Sequence, residues 1–379
     1  MVRKPLTVMQ LLPAMDAGGV EKGTLELSRY LVRHGHRAIV ISDGGRMLPA
    51  LLDSGIEHLC WNIGKKSPRT LRWAPRLRAK LREYEPDILH LRSRLPAWIG
   101  YLAWRGMSPE RRPHLITTVH GMYTVGRYSA IMTRGERVIA VSEATRDYIR
   151  NHYPAVPSNR IRVIHRGVEP SDYPYGYYPS DNWQRDWFAT YPLTRNKYLL
   201  TLPARITRLK GHEDFIEVIR KLKERGLPVH GLIVGAPHPR KHRYFMEIQK
   251  RIASAQLMRD ISLTGHRGDL REIMAVSKVV LSLSREPESF GRTTIEALSL
   301  GIPVAGFNHG GVGEQLREVF PQGRVAVGDI PSVVEKIEDW FREPPIVPMQ
   351  HPFHLQSMLR KTVQLYEEVV SHGFGYARK

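Results

Sequence analysis

A chain of 379 residues, 42% hydrophobic and 25% charged, exceeds one ordinary core and suits two α/β domains of roughly 170 residues each. No apolar run approaches the roughly 20 residues that span a bilayer, and the single cysteine, Cys60, excludes an intrachain disulfide or a cysteine-rich zinc cluster and fits a reducing compartment. The formal net charge of +20 calls for an anionic partner: a membrane surface, a phosphorylated acceptor or nucleic acid.

The opening residues are basic and then apolar, but Gln10 and Pro13 interrupt the apolar stretch, which reads as a first buried strand, Leu6–Leu12, and not as a leader. Further strands are expected at Arg37–Ser42, Asp87–Leu91, Leu115–Val119, Arg137–Val141 and Ile161–Ile164. Helices are expected at Val20–His34, Thr70–Glu83 and Glu143–Asn151. The strands are short continuous apolar runs, as in a parallel sheet covered on both faces. On the helix at 70–83, Arg69, Arg72, Arg76 and Lys80 line one side and Trp73, Leu77, Leu81 and Tyr84 the other. That pattern suits a solvated outer face or a surface held against anionic headgroups, and both readings stand.

From Glu169 to Lys197 the rhythm breaks in a stretch rich in Pro, Tyr and Trp, with a short helix expected around Trp183–Ala189. A second series follows, with strands at Tyr198–Pro203, His230–Val234, Ile261–Thr264, Val279–Leu283, Val304–Phe307 and Val325–Val327. Helices at Glu213–Arg225, Tyr244–Ala255 and Thr293–Leu300 lie among them, and a long amphipathic helix closes the chain at His354–Ser371. The expected fold class is α/β, with two Rossmann-like doubly wound sheets: a first domain over 1–168, a linker over 169–197, a second domain over 198–345 and a helical segment over 346–379. Such sheets bind ligands at their strand carboxyl edges, which would face a shared cleft.

Four constellations point to that cleft. Gly18 and Gly19 follow the first strand and open the first helix, where backbone N–H groups can approach a phosphate or sugar; the spacing is not G-x-G-x-x-G. Arg205 and Lys210 bracket a loop after the first strand of the second half, as two fixed cations would for a leaving diphosphate. Glu288 stands in a strand-to-helix loop and Glu296 inside the helix that follows; carboxylates so placed can accept hydrogen bonds from different hydroxyls of one extended ligand. Between them Phe290, Gly291 and Arg292 start that helix where backbone amides can meet a diphosphate. His120, directly after the strand Leu115–Val119, is positioned to touch a reacting sugar.

Together these residues resemble the large family of retaining glycosyltransferases of GT-B fold, the family-four type, whose hallmark Glu-x7-Glu is matched by Glu288 and Glu296. The resemblance runs over nearly the whole chain and takes in Gly310-Gly311-Val-Gly-Glu314, with bacterial lipopolysaccharide and envelope enzymes among the similar proteins. It implies that the second domain holds most of a nucleotide-sugar donor, UDP-linked by expectation, as substrate and with no cofactor. Glu296 would bind the ribose, Glu288 the donor sugar, and Arg205 and Lys210 the diphosphate, with Gly19 helping from the other domain. Gly265, His266 and Arg267 would lie near the base, and the C-terminal helix would return to the first domain.

Two positions depart from the family pattern. Arg166 stands where the family has an asparagine before glycine, and Ser284-Arg285-Glu286 replaces a Pro-Ser. No Asp-x-Asp occurs, so metal-independent transfer with retention is expected, to a glycolipid such as lipopolysaccharide core or to an oligosaccharide. The enzyme would sit at the cytoplasmic face of an anionic inner membrane, and no nucleic-acid partner is expected. The rival readings are a catalytically degenerate nucleotide-sugar-binding protein and a nicotinamide-dependent oxidoreductase, against which the missing G-x-G-x-x-G counts.

Overall fold

The computed structural model describes residues 4–16, 18–237 and 242–371. The chain divides into two compact units, Met1–Arg166 with Leu355–Lys379, and Gly167–His354.

The first unit is built on seven strands: β1 (Thr7–Leu11), β2 (Arg37–Ser42), β3 (Glu57–Cys60), β4 (Ile88–Leu91), β5 (His114–Val119), β6 (Arg137–Ala140) and β7 (Ile161–Val163). Their order is β3-β2-β1-β4-β5-β6-β7 and every pairing is parallel. Alternation along each strand divides the apolar residues between two faces. Met9, Leu11, Ile41 and Leu89 pack on one face with Leu77, Leu81 and Trp104. Val8, Val40, Ile88 and Ile116 pack on the other, against Leu27 and Leu31 of the helix Gly19–Arg33. The C-terminal helix Leu355–Ser371 covers that second face with Leu359, Val363 and Tyr366, so the chain returns to the first unit as expected.

Two features here were not anticipated. The edge strand β3 reads Glu-His-Leu-Cys and is nowhere fully buried, so it lacks the apolar run that marked its neighbours. The basic helix starts at Trp73, because residues Pro68–Arg72 form a 3-10 turn whose Ser67 hydroxyl accepts from the Arg69 amide. Within that turn Arg69 and Arg72, three residues apart, lie one above the other.

The second unit carries β8 (Tyr198–Pro203), β9 (Val229–Val234), β10 (Ile261–Gly265), β11 (Val279–Ser282), β12 (Val304–Phe307) and β13 (Arg324–Val325), all parallel, in the order β10-β9-β8-β11-β12-β13. The stretch 169–197, expected as a linker, is packed into this unit. Its helix Asp181–Thr190 buries Trp187 against Leu199, Leu232 and Ile273, and Trp183 Nε1 donates to Asp269 Oδ2 at 2.8 Å. Large aromatic rings bury too much apolar area to remain a bare connection. Residues 346–354 also belong to this unit, where Val168 N donates to Phe353 O at 3.0 Å.

Among the described residues no helix is long and apolar enough to cross a membrane. Residues 372–379 of the expected C-terminal segment lie outside the described residues.

Candidate active site

In the second unit the carboxyl ends of β8 and β11 bring two of the expected residues into contact. After β8 the chain runs to a 3-10 turn at Arg208–Lys210 and then to Gly211, which takes φ +69° before the helix His212–Glu224. A Cβ at Gly211 would lie 1.9 Å from the carbonyl oxygen of Leu283, so only glycine lets this turn press against the end of β11. The Arg285 amide donates to Leu209 O at 3.0 Å, and Arg285 Nε donates to Asp214 Oδ2 at 2.8 Å. The loop after β11 is thereby fastened through its backbone to the loop after β8 and through a side chain to the helix that follows.

Across that seam Lys210 Nζ lies 2.7 Å from Glu288 Oε1, which also accepts from the Ser284 hydroxyl at 2.5 Å. Burial disfavours the charge on Glu288, but Lys210, the Ser284 hydrogen bond and His309 outweigh it and hold the carboxyl below its ordinary range. Glu288 is therefore an anion at neutral pH. Arg205, at the same strand end, is exposed and makes no ion pair or side-chain hydrogen bond among the described residues.

The Glu288 backbone is held by the second glycine pair. Gly310 takes φ +57°, and the Gly311 amide donates to Glu288 O at 2.7 Å. A Cβ on Gly311 would come within 2.4 Å of Phe290 Cα, so the glycines allow the helix Gly310–Val319 to lie directly on the loop. His309 Nε2 lies 2.7 Å from Ser284 O, and Gln315 Nε2 donates to Phe290 O. Gly291, at φ +81°, then turns the chain into the helix Arg292–Ser299. Phe290 is buried beneath this turn.

Glu296 lies inside that helix, almost fully buried, with Arg292 Nε at 3.3 Å. Tyr173, from the aromatic stretch before the second sheet, faces the same carboxylate; burial first and then Glu296 push its phenol well above the ordinary range. Arg267 is committed to Asp269 through hydrogen bonds of 2.8 and 2.7 Å. Of the expected base-side loop, that leaves the glycine turn at Gly265 (φ +71°) and the exposed His266 open to a ligand.

In the first unit Gly18 and Gly19 start the helix Gly19–Arg33, with Glu21 in its first turn; Ala17 lies outside the described residues. His120 follows β5, and Arg166 follows β7. Arg166 NH2 lies 3.1 Å from His120 Nδ1, so the departure at position 166 acts on His120. Burial, then Arg166, Arg92 and His90 hold the His120 imidazole well below its ordinary range and therefore neutral. Beneath it Arg92 NH1 donates to Gln10 Oε1 at 2.8 Å, and His90 lies 2.6 Å from both the Tyr366 and the Thr118 hydroxyls. His90, Arg92, Thr118, His120 and Arg166 line a cavity of about 20 Å³, room for a single water.

Ser284 as a partner of Glu288, and also His309 and Tyr173, were not among the residues expected from the sequence. Position gave a signal for the first two, since Ser284 ends the β11 loop and His309 stands immediately before the glycine pair. Tyr173 lay in the stretch expected as a linker.

Comparison with known proteins agrees with this architecture. The family described as Glycosyltransferase Family 4 matches residues 17–172, and the one described as Glycosyl transferases group 1 matches residues 184–354. N-acetyl-alpha-D-glucosaminyl L-malate synthase of Bacillus anthracis is 23% identical over 340 residues, 86% of this chain and 84% of that protein. A glycosyltransferase structure from Rickettsia africae aligns at TM-score 0.85 and 28% identity, covering 98% of this chain and 100% of that one. HepE of Anabaena, solved in complex with UDP-glucose, aligns at TM-score 0.80 and 17% identity over 96% of this chain and 100% of its own. Two Rossmann-like parallel sheets, a returning C-terminal helix and family matches that tile both halves make this chain a glycosyltransferase of GT-B fold, family-four type.

Proposed function

We propose that the protein is a retaining, metal-independent hexosyltransferase that moves a sugar from a UDP-sugar to an anionic, membrane-attached glycolipid such as lipopolysaccharide core. The observation that carries this reading is the Lys210–Glu288 pair at the end of β8 and β11 with Arg205 exposed beside it. A diphosphate arriving there gives Lys210 a second anion and gives Arg205 its only one, while Glu288 turns its carboxylate to sugar hydroxyls. Glu296, oriented by Arg292 and Tyr173, accepts the ribose diol. The amides opening the helix Arg292–Ser299 add partial positive charge at the phosphates. His266 and Gly265 border the base.

In the transfer step the bond between the anomeric carbon and the β-phosphate oxygen breaks, and its electron pair stays on that oxygen. Arg205 and Lys210 stabilise the charge that grows there, which is the work a divalent cation does elsewhere. The acceptor hydroxyl oxygen bonds to the anomeric carbon on the face the phosphate leaves, and its proton passes to the departing phosphate. Nucleoside diphosphate and a glycoside of unchanged anomeric configuration result. His120, kept neutral, can hydrogen-bond a hydroxyl without adding positive charge.

The acceptor and the location, the cytoplasmic face of an inner membrane, are supported by the net charge of +20. The Bacillus anthracis relative is named for the synthesis of a malate glycoside, an anion free in solution, so the acceptor panel must include malate. The test is transfer of radiolabelled sugar from UDP-sugars to phosphorylated lipopolysaccharide core, neutral oligosaccharide and malate, with and without EDTA, and the product anomer read by NMR. Transfer to the phosphorylated glycolipid in EDTA, with the donor's configuration kept, supports the proposal. An inverted product, metal dependence or preference for malate contradicts the corresponding part.

A further inference from the structure

Between Glu57 and Glu83 the sequence holds no acidic residue, yet it carries a run of lysines and arginines. Two of these are spoken for. Arg78 donates to the Ala103 and Leu102 carbonyls, and Lys80 pairs with Glu83 at 2.7 Å. Lys65, Lys66, Arg69, Arg72 and Arg76 are exposed and form no ion pair among the described residues. They surround apolar groups: Leu71 is 43% exposed, and Trp61 and Trp73 are half-exposed and stacked at 4.9 Å with 20° between their planes.

The backbone here is anchored to the sheet edge. Ile63 is buried, and the Thr70 hydroxyl donates to Lys65 O at 2.6 Å. A Cβ on Gly64 would lie 2.7 Å from the Pro13 Cβ, so the segment lies close against the turn that follows β1. That is the carboxyl edge of the first unit's sheet, the edge that carries Gly18 and His120.

From this surface we infer that residues 65–76 dock the protein on an anionic bilayer. The five cations meet lipid headgroups while Leu71 and the tryptophan pair enter the interface, the arrangement that peripheral segments use to combine charge attraction with shallow apolar burial. Nucleic acid fits less well. One face of Trp73 is covered by Trp61, and the Arg76 guanidinium lies 4.9 Å from the same ring, so Trp73 offers a base little open surface to stack on. An exposed leucine among cations gains nothing from a phosphate backbone but does gain from acyl chains.

The full chain is tested by co-sedimentation with phosphatidylcholine vesicles, with and without phosphatidylglycerol, in the absence of any sugar donor. Binding is expected only to the anionic vesicles, weakened by salt, with a blue shift of tryptophan emission. Each cation near the surface is worth about fivefold in affinity, so R69A/R72A should bind about 25-fold more weakly. Leu71→Asp should abolish the emission shift, while the control K250A/R259A, which removes two exposed charges from the second unit, should bind like the wild type. Arg69 and Arg72 form no ion pair among the described residues and Leu71 is exposed, so these variants should melt with the wild type. Equal losses in R69A/R72A and the control, or binding to RNA but not to vesicles, would overturn the inference. Because no donor is present, either outcome leaves the proposed reaction standing.

Discussion

Lys210 Nζ and Glu288 Oε1 are 2.7 Å apart although 78 positions separate them in sequence. The ion pair exists because Gly211 lets one loop press on the end of β11 and because Gly310 and Gly311 let a helix hold the other. Each charge stabilises its neighbour, and each is free to exchange that partner for part of a donor.

Lys210→Ala and Arg205→Ala should each reduce turnover on the order of 100-fold if the two cations carry the leaving phosphate. The two differ in a second readout. Lys210→Ala also removes the main attraction that keeps Glu288 ionised, so burial raises the Glu288 pKa and the acid limb of the pH–rate profile moves upward. Arg205→Ala should leave that limb in place. Steady-state rates across pH check both, and an unchanged rate in Arg205→Ala removes it from the mechanism.

Gly211→Ala should be among the most damaging single changes. It forces a left-handed residue with a side chain into the Leu283 carbonyl, a clash and strain worth about 1–3 kcal/mol. Denaturant unfolding should show the loss, and the surviving folded protein should bind donor poorly because the Lys210 turn has moved. Wild-type stability in this variant would contradict the close approach.

Arg285→Ala tests the clamp between the loop after β11 and the helix His212–Glu224. The arginine is 57% exposed while Asp214 is buried, so solvent screening limits the loss to about 1 kcal/mol. Donor affinity should fall more clearly than stability, since the clamp sets the spacing of Lys210 and Glu288. Asp214→Asn should reproduce the effect, and equal donor affinity in all three proteins would remove the clamp from the site.

Acid should weaken the fold before the carboxylates titrate. Burial pushes His212, His230 and His351 down to about 4. In the unfolded chain they take up protons near pH 6.5. The native state binds fewer protons between those values, so their contribution is complete above about pH 6.5 and is lost as pH falls toward 4. At about pH 5.5 each costs roughly 1 kcal/mol. Urea midpoints should drop across that range, and a replacement such as His230→Gln should flatten the slope. A flat midpoint would contradict the buried, neutral assignment.

Much of the fold was legible because its strands are continuous apolar runs, and the glycine pattern around Glu288 was legible because backbone contacts demand it. The edge strand Glu57–Cys60 was not, since a half-exposed strand carries no such run. Arg285 stood out only as a departure from the family pattern, because its partner Asp214 lies 71 residues away and spacing says nothing about it. Arg166 stood out only as a departure from the family's asparagine, because its guanidinium reaches His120 over 46 positions. Periodicity reports which face is buried, not which distant side chain meets which.

The central claim is that the Arg205/Lys210 end of β8 holds a donor diphosphate. Its most direct measurement is thermal shift and slow donor hydrolysis across UDP-, GDP-, ADP- and dTDP-sugars in EDTA, on the wild type and on Lys210→Ala. A UDP-sugar should stabilise the wild type and be hydrolysed without metal, and both effects should collapse in the variant. No response to any donor, or an equal response in Lys210→Ala, would contradict it.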